Sequence, residues 1–137
     1  MGWHDIKIRK SDFMFSRYVR TRDGWRCVCT LSHNCTVPGR TERAQNLHCS
    51  HFFMRGKESV RRDPRNADAF CANAHKYVES HRTEYEHWKK AQMGEKDFNK
   101  LQIDANTPGK KDEVLARLYV KKLIRELEET RNVIVPL

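Results

Sequence analysis

Long hydrophobic runs are missing from this chain of 137 residues. No stretch of 18 consecutive apolar residues occurs, and the first ten residues, MGWHDIKIRK, are basic without an apolar core. Neither a transmembrane helix nor a secretory signal is indicated, so we expect no membrane association and a cytoplasmic location. The length suits one domain, and a hydrophobic content of 38% permits a modest core.

Acidic residues are scarce in the first half of the chain. Residues 1–66 contain 14 Lys and Arg against 6 Asp and Glu, whereas residues 67–137 contain 13 against 12. A polyanion such as DNA is the natural partner of such a surface, because each phosphate that is neutralised releases counterions. The alternative is a generally basic soluble protein with no such partner.

The five cysteines do not form the even set that a complete disulfide framework needs. Without a secretory signal, clustered Cys and His residues bind metal more often than they form disulfides. The segment CVCTLSHNC resembles a zinc knuckle, and a tetrahedral Zn²⁺ site would take Cys27, Cys29, Cys35 and Cys71, unless His33 or another residue replaces one of them. Reduced, partly buried cysteines in a metal-free fold are the alternative.

Residue patterns predict an α+β fold that is mostly helical. A helix begins at Ser11 as N-cap and ends at Gly24, LHCSHFF is a short strand, MRGKESVRRDPRN is a loop or hairpin, and ADAFCANAHKYVESH is a helix. A new helix is expected after Thr83 as cap. Asn66 is a turn residue or the cap of the helix from Ala67.

Three segments organise the chain. Residues 1–10 form a loose basic tail, residues 11–104 form the domain, and residues 105–137 form a linker with an amphipathic helix over 111–131. The helix carries one apolar stripe. The stripe packs on the domain or, alternatively, forms a homodimer. Its members are Val114, Leu115, Leu118, Leu123, Ile124 and Leu127.

Three histidines are suited to catalysis and metal binding. A neutral imidazole accepts a proton at ordinary pH, which makes His51 the candidate general base. His75 and His81 lie six residues apart, about 240° net around a helix, so they face one ion only if the helix ends near residues 79–80. We favour that arrangement over an ion bound by His75 alone.

Three stretches together resemble the HNH, or ββα-metal, endonucleases, and in particular the NinG (Rap-like) recombination nucleases of lambdoid phages. They are FSRYVRTRDGWRC, CSHFFMRGKESVRRDPRNADAFC and HKYVESHRTEY, and the resemblance covers roughly residues 11–101. It implies a ββα-metal core and, for a phage-encoded protein, the cytoplasm of a bacterial host. Related nucleases commonly carry two CxxC pairs, whereas this chain has Ala74 three residues after Cys71.

The resemblance implies an endonuclease that uses one Mg²⁺ or Mn²⁺ ion, leaves 5′-phosphate and 3′-hydroxyl ends, and nicks DNA or cuts branched DNA. His51 would activate water, and Asn66 would fix the loop and the orientation of His51 by hydrogen bonding. His75 and His81 would bind the ion. Many such sites place Asp or His directly before the base. Ser50 stands there, which leaves His48 or Asp63 as the third ligand.

The loop between the strand and the helix is rich in basic residues. We expect these to clamp DNA phosphates rather than to form an ordinary solvated loop. They are Arg55, Lys57, Arg61, Arg62 and Arg65. Two other functions stay open: a zinc-stabilised DNA-binding module without nuclease activity, and a metal-stabilised protein-interaction domain.

Overall fold

The computed structural model describes residues 7–137, and that part of the chain contains five α-helices and a two-stranded antiparallel sheet. The mostly helical α+β prediction is therefore confirmed. The elements in chain order are α1 (Lys10–Arg22), β1 (His48–His51), β2 (Ala67–Phe70), α2 (Ala72–Ser80), α3 (Arg82–Met93), α4 (Glu95–Asn106) and α5 (Glu113–Arg131). None of the described helices is both long and apolar enough to cross a membrane.

The two strands pair over four residues, with His48 opposite Phe70 and His51 opposite Ala67. The sequence predicted helix from Ala67 onward, and this prediction is wrong for the first four residues. Three of the four β2 side chains are buried, so pairing with β1 outweighs the helix propensity of alanine. Asn66 consequently precedes a strand and does not cap a helix.

Helix α2 follows β2 after a single residue and packs on both strands. Cys71 is its N-cap, and the Cys71 Sγ accepts a hydrogen bond from the Ala74 N–H at 3.4 Å. The helix ends at Ser80, as expected, and α3 begins at Arg82 with His81 between them. Two strands and a helix thus form one unit at the centre of the molecule.

Aromatic side chains fill the core between this unit and the other helices. Phe52 packs edge-on against Tyr85 at 4.9 Å between ring centroids, and Phe70 packs against Trp88 at 5.3 Å. Buried aromatic residues of this kind supply large apolar areas to a small core. Phe13 of α1 lies outside this core and is 39% exposed.

Helix α5 lies along α1, and the two helices run in the same direction. Near their N-termini the Ser11 N–H donates to a Glu113 carboxylate oxygen at 3.0 Å, so Ser11 does not act as the expected cap. Near their C-termini Arg131 donates to the Arg22 carbonyl at 2.7 Å. In the described chain, α5 therefore packs on the domain. The buried apolar residues of α5 are Val120, Ile124 and Leu127.

The basic N-terminal segment is docked from Lys7 onward. Arg61 donates to the Lys7 carbonyl at 2.7 Å, Arg9 pairs with Glu58 at 2.6 Å, and Lys10 is the first residue of α1. The expectation of a loose tail is wrong for these residues. Its first part, residues 1–6, lies outside the described residues.

Candidate functional site

A cleft of about 460 Å³ opens between α1, the sheet and α2. β1 contributes His48 and His51 to its lining, and α2 contributes His75. Two arginines, Arg20 and Arg55, also line it. The structure therefore brings together three of the four histidines that the sequence selected for catalysis and metal binding.

His51 is held in one orientation by the backbone. Its Nε2 lies 2.9 Å from the Arg61 carbonyl, which can only accept, so the ring proton is on Nε2 and Nδ1 is an acceptor. Burial lowers the pKa of His51 to about 4. The imidazole is therefore neutral at ordinary pH with Nδ1 as its acceptor atom, and its burial makes it a weaker base than an exposed imidazole.

Asn66 fastens the loop that follows β1. Its side chain is fully buried, and its Oδ1 accepts from the Phe53 N–H at 2.8 Å. Its Nδ2 donates to the carbonyls of Phe53 at 2.9 Å and Val60 at 3.1 Å. Val60 directly precedes Arg61, whose carbonyl lies 2.9 Å from the His51 Nε2, so the hydrogen bonds of Asn66 fix the same loop that holds the histidine.

His48 and His75 lie side by side in the cleft, and Glu79, one helical turn after His75, lies next to His75. The rings of His48 and His75 are 5.1 Å apart between centroids, and the Glu79 Oε1 lies 2.9 Å from the His75 Nε2. The His75 Nδ1 is buried without a hydrogen-bond partner. Burial, and then the charge of His75, lowers the pKa of His48, which favours the neutral form that binds metal.

The ligand atoms of these three side chains do not converge on one ion position. Among the described residues, the cysteine–histidine group treated below is where ligand atoms gather most closely, and His48, His75 and Glu79 are not part of it. The Glu79 side chain is 66% exposed and therefore has room to turn. Two imidazoles and a carboxylate are a donor set that first-row divalent metals accept.

His81 does not belong to this cleft, and its predicted role as a ligand is wrong. Its ring stacks on Tyr77 at 3.9 Å, and its Nδ1 lies 2.8 Å from the Tyr77 carbonyl. The helix does end before it, but the chain does not turn the imidazole back toward His75. Glu79, four residues after His75, was missed, although that spacing places two side chains on one helix face.

Asp63, the other candidate for a third ligand, is committed elsewhere. Its carboxylate accepts from the Arg65 N–H at 2.9 Å and pairs with the Arg65 guanidinium at 2.6 Å. It is not among the residues that line the cleft. His48 is therefore the better placed of the two.

Two of the five predicted phosphate-binding residues are buried and paired with acids. Arg61 pairs with Asp12 at 2.6 Å, and Arg62 pairs with Asp12 at 2.9 Å and with Glu58 at 2.7 Å. Arg61 is 3% exposed and Arg62 is 8% exposed. The prediction that they contact DNA is wrong, because each guanidinium already has a buried carboxylate partner. Pairing with a DNA phosphate instead would leave that carboxylate buried without a counter-charge.

The other three basic residues differ among themselves. Arg65 is partly exposed but pairs with Asp63 and, at 2.9 Å, with Asp104. Arg55 and Lys57 are exposed, and Arg55 lines the cleft. Arg20, which lines the same cleft from α1, donates to the Leu47 carbonyl at 2.9 Å.

A second group of ligands lies at the start of α2. The ligand atoms of Cys27, His33, Cys35 and Cys71 all lie within 4.8 Å of one another. The His33 Nδ1 donates to the Leu31 carbonyl at 2.6 Å, which leaves Nε2 unprotonated and 3.7 Å from the Cys27 Sγ. This is the tautomer that a metal ligand needs. The group can hold a metal ion.

Cys29, which the sequence included in this set, is replaced by His33. An extended backbone separates the Cα atoms of residues two apart by about 7 Å, whereas the turn after Leu31 brings His33 back beside Cys27. Cys71 differs from the other thiols. Burial raises its pKa, but hydrogen bonds from the backbone of Thr36 and Ala74 outweigh that effect and lower the pKa to about 6.

The two sites are joined by α2. Cys71 caps the helix, and His75 follows one turn later, so an ion held by the cysteines would fix the end of the helix that carries His75. In comparisons with known proteins, no protein-family model matches the chain, and no curated protein or solved structure matches it either.

Proposed function

We propose that this chain is a metal-dependent DNA endonuclease of the HNH type. The observation that carries the proposal is the shared cleft of His51 and His75, in which a backbone carbonyl holds the first imidazole with Nδ1 free. The order of two strands and a helix, with Asn66 in the connecting loop, supports it as well. The resemblance of the sequence to the NinG-like nucleases predicts the same chemistry.

The neutral His51 takes a proton from a water molecule at Nδ1 while the water oxygen attacks the phosphorus atom. The bond from phosphorus to the 3′-oxygen then breaks, and that oxygen takes up a proton from solvent, which leaves 5′-phosphate and 3′-hydroxyl ends. A Mg²⁺ or Mn²⁺ ion bound by His48, His75 and Glu79 would supply positive charge opposite the pentacovalent phosphorane. Asn66 keeps the loop closed, and so keeps His51 in place.

DNA is the proposed substrate because the half of the chain that lines the cleft is basic. Arg55 and Lys57 are exposed at the loop, and Arg20 lies in the cleft wall. These contacts address the phosphate backbone and carry no sequence information. Nicking, or cutting of branched DNA, is part of the proposal because the resemblance to the NinG-like nucleases implies it.

Zn²⁺ is the proposed occupant of the group formed by Cys27, His33, Cys35 and Cys71. Three thiolates and one imidazole are a common tetrahedral ligand set for structural zinc. The site would join the loop after α1 to the start of α2. Its role is to stabilise a small domain.

Supercoiled plasmid tests the proposed activity directly. We expect open-circle or linear DNA with Mg²⁺ or Mn²⁺ and none in EDTA. His51→Ala should lower the rate by about 100-fold or more, because general bases typically contribute 10²–10⁴-fold, while DNA affinity is kept. His87→Ala is the matched control, since His87 is an exposed histidine of α3 outside the cleft.

Equal cleavage by His51→Ala and the unaltered chain would remove the assigned base and, with it, the proposed mechanism. Inertness of both proteins in every metal would favour the second candidate, a zinc-stabilised DNA-binding module. Ser50 favours that candidate, because its hydroxyl lies 3.1 Å from the Tyr85 hydroxyl in the core and offers no ligand beside the base. A protein-interaction domain, the third candidate, predicts no salt-sensitive DNA binding at all.

A further inference from the structure

An aromatic residue lies open at the rim of the cleft. Phe13 of α1 is 39% exposed, and it lines the same cleft as His51 and His75. Ile8, which is 54% exposed, lines the cleft as well, so the rim is apolar at this place. An exposed ring can pack its face against the face of another flat ring. A planar ligand that enters the cleft therefore meets Phe13.

Two cations lie beside the Phe13 ring. The Lys10 Nζ is 5.6 Å from the ring centroid, and the central guanidinium carbon of Arg17 is 5.1 Å from it. Lys10 precedes Phe13 by three positions and Arg17 follows it by four, so the three side chains form one row on α1. Arg20, three residues further, lines the cleft. An open aromatic ring among cations is typical of surfaces that bind single-stranded nucleic acid, where the ring stacks on a base and the cations contact phosphates.

The charge of the cleft favours an anionic ligand. Of the described residues that line it, Asp12 alone is acidic, and two buried arginines pair with its carboxylate at 2.6 Å and 2.9 Å. Arg20 donates to a carbonyl and a hydroxyl, and to no carboxylate of the described chain. Glu79, beside His75, is the proposed ligand of the catalytic ion. The exposed charges in the loop before β1 are two basic and one acidic, Arg40, Arg43 and Glu42.

We propose that Phe13 stacks on an unpaired DNA base at the rim of the cleft, while Lys10 and Arg17 contact the adjoining phosphates. In a paired duplex the neighbouring bases cover each base face, and the grooves present only base edges. A base without a partner costs less to turn out of the stack, and its face then becomes available to the ring. Phe13 therefore selects DNA that has an unpaired base beside the scissile phosphate. This inference rests on DNA as the substrate of the proposed function.

Binding of the full chain to two end-labelled duplexes of one sequence tests the proposal, with fluorescence anisotropy measured without Mg²⁺ or Mn²⁺. One duplex is fully paired, and the other has a single unpaired base. We expect the second to bind at least about fivefold more tightly, the lower end of what one base stacked on an aromatic ring contributes. Phe13→Ala should remove this preference and leave the affinity for the paired duplex within about twofold, whereas Phe13→Trp should keep the preference.

Tyr119→Ala is the matched control, because Tyr119 is an aromatic residue of α5 that is 44% exposed and does not line the cleft. It should bind both duplexes as the unaltered chain does. Circular dichroism checks that each variant is folded. A second measurement needs no variant: 5-iodouracil at the unpaired position should cross-link to Phe13 on irradiation, and mass spectrometry of the peptides locates the cross-link.

Equal affinity of the unaltered chain for the two duplexes would overturn the proposal. An equal loss for both duplexes in Phe13→Ala would overturn it too, since the ring would then support the cleft without selecting the base. A cross-link to another residue would place the base elsewhere. A chain that prefers the unpaired base through Phe13 but cleaves no plasmid would contradict the nuclease proposal alone. Cleavage that needs His51 but does not distinguish the two duplexes would contradict the role of Phe13 alone.

Discussion

At the scale of single residues, the burial of His51 makes stability depend on pH. The Phe15 ring lies 6.0 Å from the imidazole, and desolvation lowers the pKa to about 4 in the folded protein, against an ordinary value of 6.5. As pH falls, the unfolded chain takes up the proton first. The stabilisation is therefore complete above pH 6.5 and is lost as pH falls toward 4.

We expect the unaltered chain to lose about 2 kcal/mol of unfolding free energy between pH 7 and pH 5 through this group alone. Urea unfolding at several pH values, in EDTA, measures it. His51→Gln is the comparison, because glutamine can still donate to the Arg61 carbonyl but does not titrate. The carboxylates of Asp12 and Glu58, whose pKa values are lowered, lose their ion pairs only at lower pH. Parallel pH profiles for the two proteins would contradict the assignment.

The resemblance implied that His51, Asn66 and His75 are neighbours, and the structure places His51 and His75 in one cleft and Asn66 in the loop that holds His51. The same reasoning failed where a distant residue decides the outcome. The pairing of Arg61 and Arg62 with Asp12 joins positions about 50 residues apart, which no local pattern indicates. His81 failed for a local reason, since its ring stacks on Tyr77 instead of turning back toward His75.

At the scale of elements, the linker before α5 closely approaches the short 3₁₀ turn Glu58–Val60 inside the basic loop. A Cβ atom at Gly109 would lie 2.6 Å from the Ser59 backbone nitrogen and 2.8 Å from the Ser59 Cα. The same turn is held by the Ser59 hydroxyl, which donates to the Asp104 carbonyl at 2.6 Å. A side chain at Gly109 must therefore push the linker off the turn.

Gly109→Ala should destabilise the protein by about 1–3 kcal/mol, since overpacking against fixed backbone typically costs that much. Gly39→Ala is the matched control, because a Cβ there has open space and neither glycine has a left-handed backbone. Its effect should stay within about 0.5 kcal/mol. Equal midpoints for the two variants in urea would show that the linker does not contact the turn in solution.

Elements with a strong period were predicted well, and the short strand β2 was not. Helices α1, α3 and α5 each bury one face, and apolar spacing revealed them within a few residues. β2 has the sequence ADAF, which carries no strand signal of its own and becomes a strand only because β1 lies beside it. The exposed N-terminal half of α5 shows the same limit. The spacing of apolar residues predicts an apolar stripe on the helix, but it does not tell which surface packs against that stripe.

At the scale of the whole molecule, four ligands from separate parts of the chain meet at the Cys27, His33, Cys35 and Cys71 group. The first three come from the loop after α1, and Cys71 comes from the start of α2, so a bound ion would close a long stretch of chain. The clustering of cysteines in the sequence predicted a metal site here and three of its four candidate ligands. Choosing His33 over Cys29 required the course of the loop, which the sequence alone does not specify.

We expect one Zn²⁺ per chain, measured by native mass spectrometry after dialysis against metal-free buffer. Removal of the ion with a strong chelator should lower the melting temperature by several degrees, and adding Zn²⁺ should restore it. The reason is that an ion that binds only the folded state stabilises that state. Cys35→Ser and His33→Ala should lose the ion, whereas Cys29→Ser should keep it. Retention of zinc by His33→Ala together with its loss from Cys29→Ser would show that Cys29, not His33, completes the site.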